Sequence, residues 1–137
     1  MMSADQALRK LVREDGRFRL EAYEFIFAAL ETTLTRLAKR DLEDEVERHV
    51  SGPELLEGIR LTALDHFGYL ARSVFDAWGV HTTDDFGEIV FALVERGLLK
   101  KRPEDSPEDF HDVYRFEEAL DGPALADISW PPDAESE

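Results

Sequence analysis

Apolar residues recur at helical spacing along most of this chain. From residue 20 to about residue 40 they return at steps of three and four, which predicts a long helix with one face in the core. That face consists of Tyr23, Ile26, Phe27, Leu30, Leu34 and Leu37. A shorter amphipathic pattern over residues 5–13 predicts a helix before it, ending at Asp15 and Gly16.

Capping residues predict where three further helices begin and end. Ser51 predicts a helix start, because its hydroxyl can accept a backbone N–H and Glu54 stands at the capping-box position. Gly68 and Gly79 predict the ends of that helix and of a short one over residues 69–78. A third helix, over residues 83–96, is predicted from a threonine cap, an apolar stripe and a closing glycine with an apolar residue folding back on it. These residues are Thr82 or Thr83, then Phe86, Ile89, Val90, Leu93 and Val94, and finally Gly97 and Leu98.

The sequence DLEDEVERH, residues 41–49, is almost wholly charged and has two interpretations. It is either a connector or frayed helix end, which we favour, or a solvated extension of the preceding helix.

The periodicity changes after Gly97. Residues 98–101 and 113–116 are short runs containing apolar residues, separated by an acidic stretch with two prolines, which predicts a two-stranded hairpin. The element order therefore predicts a mainly α fold with a small β-hairpin (α+β), namely a helix-turn-helix or winged-helix-like core with extra N-terminal helices. Residues 1–120 would form one domain, and residues 121–137 a flexible acidic tail whose Ile128 and Trp130 are candidates for docking on the body.

Length and composition limit the kinds of protein this chain can be. Its 137 residues suit one domain that buries a core without disulfides or metal. The chain has no cysteine, which excludes thiol catalysis and cysteine-ligated zinc. No apolar run has the length of a signal peptide core or a membrane span, so we expect a cytoplasmic protein that does not associate with membranes.

The charge balance is strongly acidic. The chain has 31 acidic residues against 16 basic ones, a formal net charge of -15, and only four of the basic residues are lysine. Carboxylates hold water and cations well, and salt screens their mutual repulsion, so this composition suits a salt-rich bacterial cytoplasm. An ordinary acidic protein is the alternative.

The charge also bears on nucleic-acid binding. In a winged helix, residues 83–96 would form the recognition helix, yet this segment has four acids and Arg96 as its one base. DNA affinity comes largely from neutralising phosphates with lysine and arginine, so nucleic acid is disfavoured as a partner. A winged-helix nucleic-acid-binding regulator remains the alternative function. Its phosphate contacts would be Arg9, Lys10, Arg13, Lys100, Lys101 and Arg102.

No motif argues for catalysis. Asp85-Phe86-Gly87 has the letters of the kinase magnesium motif, but a chain of this length lacks the other kinase motifs. The four histidines do not show the spacing of a dedicated metal site. We therefore predict no catalytic residue, no metal ligand and no cofactor.

Gly87 is the residue that helix formation alone does not explain. Glycine in the first turns of a helix costs about 1 kcal/mol relative to alanine, so either another element of the chain packs closely there or a partner's backbone approaches. The preferred function is a non-catalytic protein-protein interaction module. Its predicted binding surface consists of Thr83, Asp84, Asp85, Gly87 and Glu88.

Four blocks of the sequence resemble a small bacterial protein family of unknown function. They are AYEFIFAALETT (22–33), RHVSGPELLEGIRLTALDHFG (48–68), HTTDDFGEIVFALVERGLL (81–99) and YRFEEAL (114–120). Against that family, DLEDEVER resembles an insertion, which agrees with the connector interpretation. The resemblance implies no catalytic residue, cofactor or activity.

Overall fold

The fold is built from helices. The computed structural model describes residues 2–121, except for the side chain of Val46, and every regular element in that range is helical. The α-helices are α1 (Ala4–Asp15), α2 (Leu20–Arg36), α3 (Glu45–Arg48), α4 (Gly52–Phe67), α5 (Ala71–Trp78), α6 (Thr83–Glu95) and α7 (Phe116–Ala119). Two 3₁₀ helices, η1 (Gly68–Leu70) and η2 (Pro107–Phe110), lie between them.

Helices α2 and α4 form the most extensive helix pair in the described part of the chain. They are in close contact at Gly58, where an added Cβ would lie 1.7 Å from the Oγ1 atom of Thr33. The buried Thr33 hydroxyl donates to the carbonyl of Ala29, 2.7 Å away in the same helix, so its polar atom is satisfied without a partner across the interface. Only glycine permits this contact between the two helices.

A cluster of aromatic rings joins α2, α5, α6 and α7. The ring of Phe75 in α5 lies 5.6 Å from Phe25 in α2, 5.0 Å from Phe86 in α6 and 5.3 Å from Phe116 in α7, measured between centroids. All three pairs are edge-on, the arrangement that the ring quadrupole favours. Trp78, also in α5, adds a ring 5.3 Å from Phe25, and α5 thus packs against α2 on one side and α6 on the other.

Most of the predicted helix ends are confirmed. Capping boxes start α4 at Ser51 and Glu54, and α6 at Thr82 with an aspartate as its partner. Gly97 has φ +74°, and the N–H of Leu98 donates to the carbonyl of Leu93 at 2.9 Å. These two features are the predicted closure of α6 by a left-handed glycine.

Helix α2 is shorter than predicted. It ends at Arg36, because the chain turns at Ala38, which has φ 58°, and the N–H of Lys39 donates back to the carbonyl of Leu34 at 2.8 Å. A turn and the single helical turn of α3 follow, so residues 41–49 do not continue α2. This agrees with the connector interpretation.

The predicted α+β fold, with its β-hairpin and winged-helix core, is wrong. Residues 98–116 contain no strand, as is true of all of residues 2–121. Pro107 lacks the N–H that a strand ladder needs and instead starts η2, with Ser106 as its N-cap. The apolar residues of this segment are placed singly against the helical core rather than alternating along a paired strand. These residues are Leu98, Leu99, Phe110, Tyr114 and Phe116.

Two other predictions are not settled by these elements. The extent of a single domain over residues 1–120 stays a prediction, and the proposed tail with Ile128 and Trp130 lies outside the described residues. Among residues 2–121, none of the helices combines the length and the apolar composition needed to cross a bilayer.

Candidate functional site

Three of the five residues of the predicted binding surface are buried. Thr83 donates its hydroxyl proton to the carbonyl of Phe110 at 2.7 Å and accepts the N–H of Val113 at 3.1 Å. The Asp85 carboxylate accepts the N–H groups of His81 and Thr82 at 2.8 and 3.2 Å. Its other oxygen lies 2.9 Å from a guanidinium nitrogen of Arg17. Thr83 and Asp85 thus have structural roles at the start of α6.

Gly87, the third buried residue, contacts η2. An added Cβ would lie 2.8 Å from the Cβ of Phe110 and 3.0 Å from its Cγ. Gly52, at the start of α4, meets the same side chain, with a built Cβ 3.0 Å from the Phe110 ring atom Cε1. Phe110 therefore fits between the first turns of two helices, and close internal packing accounts for Gly87.

The other two residues of that surface take part in ion pairs near the surface. Asp84 lies 3.1 Å from Nδ1 of His111, and this hydrogen bond raises the pKa of the imidazole above its ordinary value of 6.5. Glu88 is exposed and pairs with Arg17, the same guanidinium that Asp85 contacts. The structure thus brings Asp85 and Glu88 together around one arginine from the α1–α2 loop.

The predicted phosphate contacts belong to two separate elements. Arg9, Lys10 and Arg13 lie exposed on α1, where Arg9 pairs with Asp5 at 3.0 Å. The second group follows α6. There Lys100 donates to Glu45 at 2.8 Å, Lys101 donates to the Arg102 carbonyl at 3.2 Å, and Arg102 lies 3.6 Å from Glu104.

Lys100 and Lys101 also border a cavity that the sequence did not predict. It has a volume of about 200 Å³ and lies between α2, α4 and α6 on one side and the segment leading into η2 on the other. We call it the α2–α6 cleft. Its walls are apolar and are formed by Leu30, Leu34, Val50, Leu55, Val90, Phe91, Val94, Leu99 and Phe110.

Charged side chains surround the mouth of the α2–α6 cleft. One close histidine–carboxylate contact and one ion pair lie there. In one, Nε2 of His49 lies 2.8 Å from Oδ2 of Asp105, and the two side chains are only 13% and 15% exposed. In the other, the hydrogen bond from Lys100 lowers the pKa of Glu45 below its ordinary value. Both pairs join α3 or its neighbouring residues to the segment after α6.

Two further cations at the mouth bond to carbonyl oxygens rather than carboxylates. A guanidinium nitrogen of Arg48 donates to the carbonyl of Leu42 at 3.0 Å, and Nζ of Lys101 donates to a neighbouring carbonyl. Within residues 2–121, no carboxylate forms an ion pair with Arg48 or Lys101. A carboxylate from outside the chain would meet two cations whose charge is not already balanced by a direct partner.

Local turns hold the segment that forms the outer wall of the cleft. Oδ2 of Asp105 accepts the N–H of Arg102 at 2.8 Å, and Oδ2 of Asp109 accepts the N–H of Ser106 at 3.0 Å. The first bond closes a turn, and the second is part of the capping box of η2; both fix the local course of the backbone. Because the carboxylate of Asp105 also pairs with His49, the turn positions the imidazole at the mouth of the cleft.

The cleft also contains side chains of the kinds used in acid–base chemistry, a histidine beside a carboxylate and a serine hydroxyl. His49 and Asp105 form a close contact between an imidazole nitrogen and a carboxylate oxygen that lacks the geometry of a hydrogen bond. Ser51, which also lines the cleft, instead uses its hydroxyl to accept the N–H of Glu54 at 3.2 Å as the N-cap of α4. Within residues 2–121, no group of three or more histidines and carboxylates is placed to hold a metal ion.

Little in the sequence indicates this cleft. Its walls come from α2, α4, α6 and the segment before η2, and no local pattern brings these elements together. The one available signal was the run Arg48-His49-Val50, which places two polar side chains and an apolar one directly before a helix cap. The sequence predicts Lys100 and Lys101 only as phosphate contacts.

Comparisons of this chain with protein-family models, with curated proteins and with solved structures gave no match.

Proposed function

We propose that this protein is a non-catalytic protein-binding module that receives side chains of a partner protein in the α2–α6 cleft. The observation that carries the proposal is the cleft itself, an apolar cavity of about 200 Å³ with a charged mouth. Its apolar walls are partly open to solvent, and a partner's side chains would remove that apolar area from water.

The size of the cleft supports a protein side chain as its occupant. Sites for drug-sized ligands and cofactors usually enclose roughly 300–1,000 Å³, whereas a cavity of about 150 Å³ holds one benzene molecule. The α2–α6 cleft, at about 200 Å³, therefore suits one or two apolar side chains. Pockets of this kind, which receive a single anchoring side chain, carry much of the binding energy in protein interfaces.

Nucleic-acid binding has less support. The winged-helix scaffold on which it rested is absent from residues 2–121, and the net charge of -15 repels phosphate. Arg9 and Lys100 are also engaged by Asp5 and Glu45. Fluorescence anisotropy with duplex DNA and structured RNA at several salt concentrations tests this alternative, and we expect no micromolar binding at physiological salt.

Filling the cleft tests the proposal. Val94→Trp places an indole in the space that a partner would use, while Leu70→Trp makes a matched change on the exposed surface of η1. Partners would be recovered from the native host by affinity purification, produced alone, and titrated calorimetrically against the wild type and both variants.

We expect a partner that binds the wild type and Leu70→Trp with equal affinity and binds Val94→Trp at least tenfold more weakly. Both variants must first show the circular dichroism spectrum and unfolding midpoint of a folded protein. The proposal is overturned if Val94→Trp binds like the wild type, or if Leu70→Trp is the variant that loses binding.

A further inference from the structure

We propose that the segment bound in the α2–α6 cleft carries a carboxylate beside its apolar side chain, and that Arg48 and Lys101 bind this carboxylate. The inference rests on the proposed function and adds the chemical class of the partner segment. It comes from the distribution of charge around the mouth of the cleft.

In a protein with an acidic surface, cations at the mouth of a cavity indicate the charge of the ligand that binds there. With a net charge of -15, the chain as a whole repels an acidic partner. The seven charged or titratable side chains that line the cleft nevertheless include three permanent cations. They are Glu45, Arg48, His49, Lys100, Lys101, Asp105 and Asp109.

Internal partners account for most of these seven. Glu45 pairs with Lys100, and Asp105 pairs with His49. The Asp109 carboxylate accepts the backbone N–H of Ser106 and so belongs to the start of η2. Arg48 and Lys101 remain, each donating to a neutral carbonyl. The mouth thus has two positive side chains next to an apolar cavity.

An apolar cavity with two cations at its mouth favours one class of ligand over others. A neutral apolar segment would fill the cavity but leave the cations unused, and a basic segment would be repelled by Arg48 and Lys101. An acidic segment without a large apolar side chain would leave the cavity empty. A segment with both features gains a charge-assisted hydrogen bond at the mouth and apolar burial in the cavity.

Short peptides test this specificity directly. The probes are Gly-Ser-Asp-Leu-Asp-Ser-Gly and three relatives, in which asparagine or lysine replaces both aspartates, or alanine replaces the leucine. Each is titrated into the ¹⁵N-labelled full-length protein, and amide shifts are followed at residues 48–50 and 99–102. This measurement detects millimolar affinities.

We expect saturable shifts at these amides with the aspartate–leucine peptide and affinities at least fivefold weaker with the asparagine or alanine relatives. The lysine relative should not saturate. Raising KCl should weaken the aspartate–leucine peptide more than the asparagine relative, because salt screens the ionic contact.

Charge-removing variants identify the side chains. Arg48→Gln and Lys101→Gln should each weaken the aspartate–leucine peptide at least threefold and leave the asparagine relative unchanged. Lys10→Gln, on the exposed face of α1, makes the same change of charge elsewhere and should have no effect. Arg48 also donates to the carbonyl of Leu42, before α3, so Arg48→Gln could destabilise this helix. In that case the Lys101→Gln variant decides the outcome.

Failures of this inference and of the proposed function look different. If all leucine peptides bind equally and Val94→Trp abolishes their binding, the acidic preference is wrong and the protein-binding cleft stands. If no leucine peptide shifts these amides, both are wrong for such segments. Octanoate is titrated in the same way. If it shifts these amides and the peptides do not, the cleft is a site for a small amphipathic acid, and the inference is overturned.

Discussion

Gly87 and Phe110 are in direct contact, so that an added Cβ on the glycine would lie 2.8 Å from the Cβ of the phenylalanine. The phenylalanine ring also reaches Gly52, and it thereby joins η2 to the first turns of both α4 and α6. The same ring forms part of the wall of the α2–α6 cleft. One buried side chain therefore links the position of the loop after α6 to the shape of the proposed binding site.

Gly87→Ala should destabilise the protein. Alanine favours the helix by about 1 kcal/mol over glycine, but forcing a methyl group into this contact costs typically 1–3 kcal/mol, and the neighbouring atom is the inner end of the Phe110 side chain, which cannot swing away. We expect a net loss of about 1 kcal/mol in the free energy of unfolding, measured with urea. Ser73→Ala, at an exposed position of α5, should change it by less than about 0.5 kcal/mol. An alanine variant as stable as the wild type would contradict the packing argument.

Gly58→Ala should be more damaging, and a change in Thr33 should partly rescue it. The new methyl group would lie 1.7 Å from Oγ1 of Thr33, where α2 and α4 are in close contact. We expect a loss of about 3 kcal/mol, at the upper end for overpacking. Thr33→Ala removes the clashing oxygen but leaves a Cβ 3.1 Å away, so the double variant should recover only part of the loss. Calorimetric and urea unfolding of the four proteins measure the coupling, and strictly additive losses would show that the two helices do not meet there.

The capping box of α4 should make stability depend on pH on the acid side. The backbone N–H of Ser51 donates to Glu54 at 2.9 Å and lowers the pKa of its carboxyl below the ordinary 4.5. A carboxylate with a lowered folded pKa stabilises the protein above its unfolded pKa, and this contribution is lost as pH falls through the folded value.

Glu54→Gln should therefore lower the free energy of unfolding by about 0.5 kcal/mol at pH 7, and the difference from the wild type should shrink as the pH falls below the ordinary carboxyl pKa of 4.5. Glu24→Gln removes one charge from an exposed position of α2 and corrects for the general release of repulsion. Urea titrations at pH 3.5, 5 and 7 measure the effect. A difference that grew on acidification would reverse the sign of this argument.

Salt should stabilise the protein if its acidity is an adaptation to a salt-rich cytoplasm. With 31 acidic and 16 basic residues, repulsion among carboxylates opposes folding at low ionic strength. Molar salt reduces the range of that repulsion to about 3 Å. We expect the thermal unfolding midpoint to rise between 0.05 M and about 2 M KCl. A flat response would identify an ordinary acidic protein.

Helix ends could be predicted from the sequence because their rules are local. The hydrogen bonds between Ser51 and Glu54 join residues three positions apart. The bond that closes α6 at Gly97 joins residues five positions apart. The course of residues 98–116 depends instead on distant partners. Thr83 binds the carbonyl of Phe110 across 27 positions, and the Tyr114 hydroxyl donates to the Leu56 carbonyl across 58. Short apolar runs do not distinguish such docking from a hairpin.

The candidate site was hidden for the same reason. The surface predicted around residues 83–88 rests on charged side chains and an unexplained glycine, whereas in the structure Thr83, Asp85 and Gly87 are buried. The cleft depends on the meeting of Arg48 and His49 with residues 99–110, which no spacing along the chain indicates.

The hydroxyl of Thr83 binds the loop at two points, the carbonyl of Phe110 and the N–H of Val113. The outer wall of the cleft is therefore anchored to the first turn of α6, at a distance from the charged mouth. Opening of the loop and fraying of that turn should then be a single cooperative event, visible as equal rates of amide hydrogen exchange at residues 86–88 and 110–113. A partner held at the mouth would slow exchange in both segments together, including amides that it never touches.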